Sequence, residues 1–239
     1  MTKRFRMIAG PNGSGKSTLF RLLRRDYAVN FYVMLNSDDI FSEVARTGAY
    51  SPALPVSEES LRNFAADSEY SDKTKNFFLN GDIAVKNDTV HFKSQESVNT
   101  YTVALLTNFL QHEHIATGKS FSQETVFSHP SKIKALKAAR ESGYRTYLYF
   151  VANRDIAINI ARIANRVRSG GHDVPVDKIE ARAKRCLENV KRALPHCSRA
   201  YFFDNSGMEM RFLAEYSEDD GFVSIANDLP LWFKLQVIG

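Results

Sequence analysis

The chain reads as an α/β fold, a parallel sheet with helices on both faces and a mixed helical and irregular insertion, on two observations. Short apolar runs alternate with amphipathic helical segments, and polar clusters follow those runs at their carboxyl ends. Continuous β-branched and aromatic strands separated by helices are buried on both faces, as in a parallel sheet. In such a sheet the ligand crevice lies beyond the carboxyl ends of the strands. At 239 residues, 44% hydrophobic and 25% charged, the chain can bury a substantial core, and residues 1–239 are expected to form a single domain.

The elements follow in order. Phe5–Ala9 predicts the first strand, and Thr18–Arg25, with Leu19, Leu22 and Leu23, an amphipathic helix. Between them Gly10-Pro11-Asn12-Gly13-Ser14-Gly15-Lys16-Ser17-Thr18 satisfies G-x-x-x-x-G-K-[ST] at each fixed position. Glycines let the backbone curl until several N–H groups face one anion, and the helix N-terminus adds partial positive charge. Lys16 can reach the β- and γ-phosphates of a nucleotide, and the Ser17 hydroxyl can ligate Mg²⁺.

Phe31–Leu35 predicts a second strand ending at Asn36-Ser37-Asp38-Asp39. Asp38 is the candidate base, since a carboxylate there can take the proton of an acceptor hydroxyl. On its residue type alone it serves equally as the N-cap of a helix beginning near Ile40. Asp39 is the neighbouring alternative, its side chain expected to point elsewhere. Phe41–Arg46 continues a helix. Residues 50–100, with Pro52, Pro55 and much Ser, Asn and Asp, read as an insertion covering one edge of the crevice. Asp88–Phe92 fits one strand of a hairpin, and Thr102–His112 returns to helix.

Ser120–Gln123 is a short third strand ending at Glu124-Thr125. Glu124 can hold an acceptor sugar or a Mg²⁺-bound water, and Thr125 can touch phosphate; a turn of solvated polar groups competes with both roles. Helix Ser131–Ser142 stops at Gly143, and Arg145–Val151 is a buried strand. Helix Asp155–Ser169 carries Ile156, Ile160, Ile163 and Val167 on one stripe, with Asp155 as N-cap. Arg162 and Arg166, four apart, share a face flanking that stripe, where a planar guanidinium can cross a crevice to phosphate. Gly170 and Gly171 end the helix and suit a lid over about 162–176; a solvated basic face with a glycine stop is the competing reading. His172 alone assigns nothing. Helix Asp177–Leu194 is stopped by Pro195. Tyr201–Phe203 is a further strand ending at Asp204-Asn205-Ser206, and the apolar tail Leu229–Ile238 is expected to pack on the core.

Net charge of +5 favours a polyanionic ligand but is too small to argue for DNA or RNA, and no aromatic–basic stacking platform is visible. Nucleic acid is therefore not an expected partner. Cys186 and Cys197 lack metal or redox spacing and read as thiols in a reducing compartment. The first residues lead directly into a strand, so no secretory signal is expected. No apolar run approaches a membrane span, and a cytoplasmic location is expected.

Taken together, Gly10–Thr18, Leu35–Asp38, Gln123–Thr125 and Arg162–Pro175 resemble the zeta toxin family of P-loop kinases. The order R-V-x-x-G-G-H-x-V-P from Arg166 to Pro175 is specific to a large branch of that family. The resemblance covers residues 1–50 and about 115–206. It implies ATP- or GTP-dependent, Mg²⁺-assisted phosphorylation of a sugar hydroxyl of UDP-N-acetylglucosamine, and an antitoxin protein as partner. By position, it implies Asp38 as catalytic base, Lys16 and Ser17 as donor and Mg²⁺ contacts, and Glu124 and Thr125 as acceptor-binding residues. Arg166, and Arg162 with it, match lid cations, and Asn205 a place near the nucleotide base. The insertion is longer than this branch carries, so a different hydroxyl acceptor, a metabolite or a polynucleotide 5′ end, stays open. So does a nucleotide-dependent switch without catalysis.

Overall fold

The structure, a computed structural model, describes residues 2–169 and 174–238. Gly170, Gly171 and His172, the centre of the expected lid, lie outside the described residues. In chain order the elements are β1 (Arg4–Ala9), α1 (Lys16–Asp26), β2 (Val33–Asn36), α2 (Ser37–Thr47), β3 (Ala49–Tyr50), α3 (Glu58–Asp67), α4 (Asp72–Leu79), β4 (Ile83–Lys86) and β5 (Thr89–Phe92). They continue with α5 (Thr100–Ala116), β6 (Phe121–Thr125), α6 (Ser131–Glu141), β7 (Arg145–Ala152), α7 (Ile156–Arg168), α8 (Val176–Ala193), β8 (Arg199–Asp204), β9 (Arg211–Ser217) and β10 (Gly221–Ser224). A helical tail spans residues 231–238. The chain divides into two compact units, one of Met1–Tyr32 and Phe121–Gly239, the other Val33–Ser120.

In the first unit the strands run β10-β9-β8-β7-β1-β6. β6, β1, β7 and β8 are parallel, and β9 and β10 add on antiparallel. The parallel strands are buried on both faces at their carboxyl halves: Met7, Ile8 and Ala9 on β1, and Leu148, Phe150 and Val151 on β7, have no exposed surface. That is why they carry unbroken apolar runs rather than alternation. α1 packs on β1 and β7, and α6 packs on β7. The tail closes the core as expected. Trp232 and Phe233 are buried against Phe150 and Phe202 at ring-centroid distances of 5.9 and 5.1 Å, and the indole N–H of Trp232 donates to Asp204 at 3.0 Å.

Two sequence expectations shift. The second strand starts at Val33, not Phe31, because Tyr32 adopts a left-handed backbone (φ 53°) that interrupts extension. β9 and β10 escaped the reading because a tight antiparallel hairpin needs no intervening helix. Its turn is held by the Ser217 hydroxyl, which donates to Asp220 at 2.8 Å, and by Gly221 at φ 70°.

The second unit centres on α5, whose Val103, Leu105, Leu106, Phe109 and Leu110 are buried. Asn99 caps it, accepting from Tyr101 and Thr102 N–H groups, in a reciprocal capping box. β3, β5 and β4 form a small antiparallel sheet, and the strand expected at 88–92 is β5, paired with β4. The stretch that read as irregular contains α3 and α4. Each buries only two residues, Leu61 and Ala65 or Thr74 and Phe78, which leaves a weak periodic signal.

His114 on α5 is buried, and burial first, then the charge of Lys119, lowers its imidazole to about 4. The unfolded chain takes up this proton near pH 6.5, the folded chain only near pH 4. Stability from this group is present above pH 6.5 and is lost as pH falls toward 4, by about 2–3 kcal/mol. Urea midpoints of wild type and His114→Asn should therefore converge as pH drops from 7 to 4.5. A constant difference would contradict this.

Candidate nucleotide site

β1 ends in the Gly10–Thr18 loop and delivers it to the N-terminus of α1. The helix N-cap is Gly15 (φ 101°), without a side-chain cap and without an acidic residue in the first turn. The terminal N–H groups are thus left for an anion. A Cβ on Gly15 would lie 2.1 Å from the Asn205 amide nitrogen, and one on Gly13 (φ 73°) 2.5 Å from the Asn159 carbonyl, so both positions require glycine. The Lys16 ammonium rests on the Gly10 and Pro11 carbonyls at 3.1 and 3.2 Å, a distal charge that the loop's own backbone positions. The Ser17 hydroxyl is 3.5 Å from the Glu124 carboxylate at the end of β6. A hydroxyl and a carboxylate beside a phosphate loop form the hard-oxygen set that Mg²⁺ takes when it keeps water and phosphate as its other ligands. The residues present therefore fit a nucleoside triphosphate with Mg²⁺. Among the described residues no cluster of three or more His, Cys, Asp or Glu could hold a metal ion by itself.

A collar of asparagines supports the loop from below. The Asn205 amide donates to Ser14 O at 2.8 Å, and the Asn159 amide to Asn12 O at 2.6 Å. The Asn153 and Asn159 carboxamides meet at 2.9 Å. Asn205 is fixed in turn by Ala152 O, which accepts from its backbone N–H at 3.0 Å. Arg162 donates to Asn205 O at 2.8 Å, so its guanidinium is committed to holding this collar, while Arg166, one turn on, is exposed. α7 starts as expected, with Asp155 accepting from Ala157 N–H at 2.8 Å. Asn153 and Asn159 were missed in the sequence. The available signal was a polar residue inside the apolar stripe of α7, where Asn159 is 1% exposed. Asn159→Ala should raise the Kd for nucleotide about tenfold, since the half-buried Asn12 carbonyl of the loop loses its donor. Calorimetric titration with ATP checks this; an unchanged Kd would exclude a positioning role.

The carboxyl end of β6 is held by α8. The Asn189 amide donates to Phe127 O at 3.0 Å and the Cys186 thiol to Val126 O at 2.9 Å. Burial pushes the Cys186 thiol far above its usual range, against the smaller opposing charge of Lys16, so it is a packed group and not a nucleophile. Phe127 is buried in a left-handed conformation (φ 67°), strain that packing sustains two residues beyond Thr125. The Thr125 hydroxyl accepts from the Phe127 N–H at 3.5 Å. Asp204 accepts from Ser206 N–H and Oγ, both at 3.0 Å, and from Trp232, which makes it a structural anchor for the tail.

The first unit thus holds the Gly10–Thr18 loop, Glu124, Thr125, Arg162, Arg166 and Asn205, and the second holds Asp38. The capping alternative for Asp38 is corrected: α2 begins at Ser37, and its cap is Asn36, whose side chain accepts from Asp38 N–H at 2.9 Å. Asp38 and Asp39 lie exposed in the first turn. Partial desolvation of its carboxylate on the otherwise exposed side chain, and then the Asp38 charge, raises the Asp39 carboxyl.

No family model matches the sequence. An uncharacterized protein of Haemophilus influenzae is 35% identical over 77 residues, a match covering 32% of this chain and 52% of that protein, so it spans about half the length of that relative. Among solved structures, a chain of the PezAT chromosomal toxin–antitoxin system of Streptococcus pneumoniae is similar with a TM-score of 0.54 at 12% identity, covering 100% of this chain and 79% of that one. The AvrRxo1-ORF1:AvrRxo1-ORF2 complex is similar in its sulphate form at TM-score 0.57 and 12% identity. In its ATP form the values are 0.56 and 13%. Each match covers 99% of this chain and 64% of that one, so this chain spans less than two thirds of theirs. At these identities the likeness is one of fold: a mostly parallel sheet with flanking helices, shared with the PezAT chain and with the AvrRxo1-ORF1:AvrRxo1-ORF2 chain.

Proposed function

We propose that the chain is a phosphotransferase that moves the γ-phosphoryl group of ATP or GTP to a sugar hydroxyl of a nucleotide sugar such as UDP-N-acetylglucosamine, as the toxin of a toxin–antitoxin pair in the cytoplasm. The observation that carries the kinase reading is the uncapped α1 N-terminus under the glycine loop, with Lys16 above it and the Ser17 hydroxyl directed at Glu124. The loop N–H groups and Lys16 hold the triphosphate. Ser17, with the Glu124 carboxylate beside it, would hold Mg²⁺, which when bound would neutralise phosphate charge. Arg166 supplies a cation to the transferring group, and Arg162 keeps the loop and α7 in register. Glu124 and Thr125 orient the acceptor, and Asp38 takes its hydroxyl proton as the oxygen–phosphorus bond forms and the nucleoside diphosphate leaves.

The nucleotide sugar is supported by the resemblance at Leu35–Asp38, Gln123–Thr125 and Arg162–Pro175. The antitoxin partner is supported by the PezAT system, and nucleotide use by the ATP complex of AvrRxo1-ORF1:AvrRxo1-ORF2. No helix among the described residues is long and apolar enough to cross a membrane. Treating a metabolite extract with protein and γ-labelled ATP, then identifying labelled species by mass spectrometry, tests the acceptor. Label on UDP-N-acetylglucosamine supports the reading; label on another metabolite alone, or on polynucleotide 5′ ends, overturns the acceptor. Label on nothing overturns the kinase.

A further inference from the structure

Far from the phosphate loop, the amino ends of the parallel strands present a face built from arginine and tyrosine. Register puts Arg4 opposite Arg145 and Arg6 opposite Tyr147, and Tyr147 opposite Arg199 on the next strand, so these five side chains share one face of the sheet. Like charges directly opposite one another destabilise a strand pair unless something compensates them. Arg199 is paired with Glu215, and Glu218 is taken by Arg140 at 2.7 Å. Neither Arg6 nor Arg145 makes an ion pair among the described residues.

Arg6 is the unusual member. Its guanidinium lies between the rings of Tyr32 and Tyr147, 5.3 and 4.9 Å from their centroids. Its Nε and Nη1 are shut off from solvent and meet no acceptor. Buried charged donors without acceptors are costly, and stacking on two rings recovers only part of that cost. Tyr32 is held over Arg6 in its left-handed conformation, its N–H donating to the Asn30 side chain at 2.8 Å, and Arg4 donates to its phenol oxygen at 3.4 Å. Burial pushes the Tyr32 phenol up, but Arg4 and Arg6 together pull it below its ordinary value. Beside this cage lies a recess of about 170 Å³, lined by Arg145, Tyr147, Ser198, Arg199 and Ser217 together with two acidic residues, Asp219 and the Arg140-paired Glu218. Arg145 and Arg199 are exposed.

We infer that this Arg4–Arg6–Arg145–Tyr147 face is a second anion site, which takes a phosphoryl-bearing ligand separate from the nucleotide of the phosphate loop. Guanidinium forks match phosphate oxygens in pairs, and the Tyr32 and Tyr147 rings fix the place of the Arg6 guanidinium. The sequence does not display the platform because its residues come from two strand starts, a loop and a third strand, and only the register joins them. The site does not depend on the kinase reading.

Pyrophosphate titrated into the Lys16→Ala chain, in which the loop's cation is gone, tests it. Retained binding, weakened at least tenfold by adding the surface change Arg145→Gln and weakened again by salt, is expected. No binding to Lys16→Ala, or binding indifferent to Arg145→Gln, overturns the site. A six-nucleotide oligothymidylate in a parallel arm distinguishes the source of the phosphoryl group. Tenfold tighter binding than pyrophosphate, lost in Arg145→Gln, points to a nucleic-acid strand, and equal or weaker binding points to a small phosphate compound; binding of either ligand that Arg145→Gln leaves unchanged overturns the site.

Discussion

Asp38→Asn is expected to lower kcat by about 10³-fold while leaving nucleotide affinity within about threefold. The amide keeps the size and polarity of the side chain and removes only its capacity to accept a proton. The structure makes this substitution clean. The cap of α2 is Asn36, so the helix does not depend on the Asp38 carboxylate. The side chain is exposed, so no packing is lost. Removing its charge also relieves Asp39, whose carboxyl is raised by partial desolvation and then by Asp38, and so moves that neighbour toward the ordinary carboxylate range. If Asp39 were the base, Asp38→Asn would leave most of the rate and Asp39→Asn would remove it. Single-turnover rates and ATP titrations on both variants separate the two assignments. The control is Asn36→Ala, which should cost about 1 kcal/mol of stability through the lost cap.

Lys16→Ala is expected to reduce kcat/KM by about 10²- to 10³-fold, the equivalent of one or two charge-assisted hydrogen bonds to phosphate. Its ammonium rests on the Gly10 and Pro11 carbonyls, and the loop is braced independently by Asn159 and Asn205. The variant should therefore fold with nearly the wild-type melting temperature but lose the melting shift given by ATP. In a growing bacterium, induction of wild type should arrest growth and induction of Lys16→Ala should not. Equal growth of both would argue against a toxin.

How much of this was legible from the sequence depends on distance along the chain. The Gly10–Thr18 loop carries its function in consecutive residues, so strand, loop and helix all read directly. Asp155 as the cap of α7 and Gly143 as a helix stop are equally local. For the tail, composition gave core packing only as the default over a partner surface or an edge strand, and the burial of Trp232 and Phe233 decides it. The asparagine collar was not legible, because Asn153, Asn159 and Asn205 act on carbonyls reached only through the fold. Arg162 shows the same limit. Its spacing to Arg166 suggested two lid cations, yet only the structure shows that Arg162 reaches the Asn205 carbonyl. Asp38 was ambiguous between base and cap because both roles favour the same residue type, and the neighbouring Asn36 resolves the cap. The arginines of β1 looked like scattered surface charge until the register aligned them with Arg145 and Tyr147.

The most direct test mixes the protein with γ-labelled ATP, Mg²⁺ and UDP-N-acetylglucosamine, and follows label in the sugar nucleotide beside ATP binding, for wild type and Asp38→Asn. Label should pass to the sugar hydroxyl with wild type and stay on ATP with the variant, which should still bind ATP normally. Equal transfer by both proteins would contradict the account.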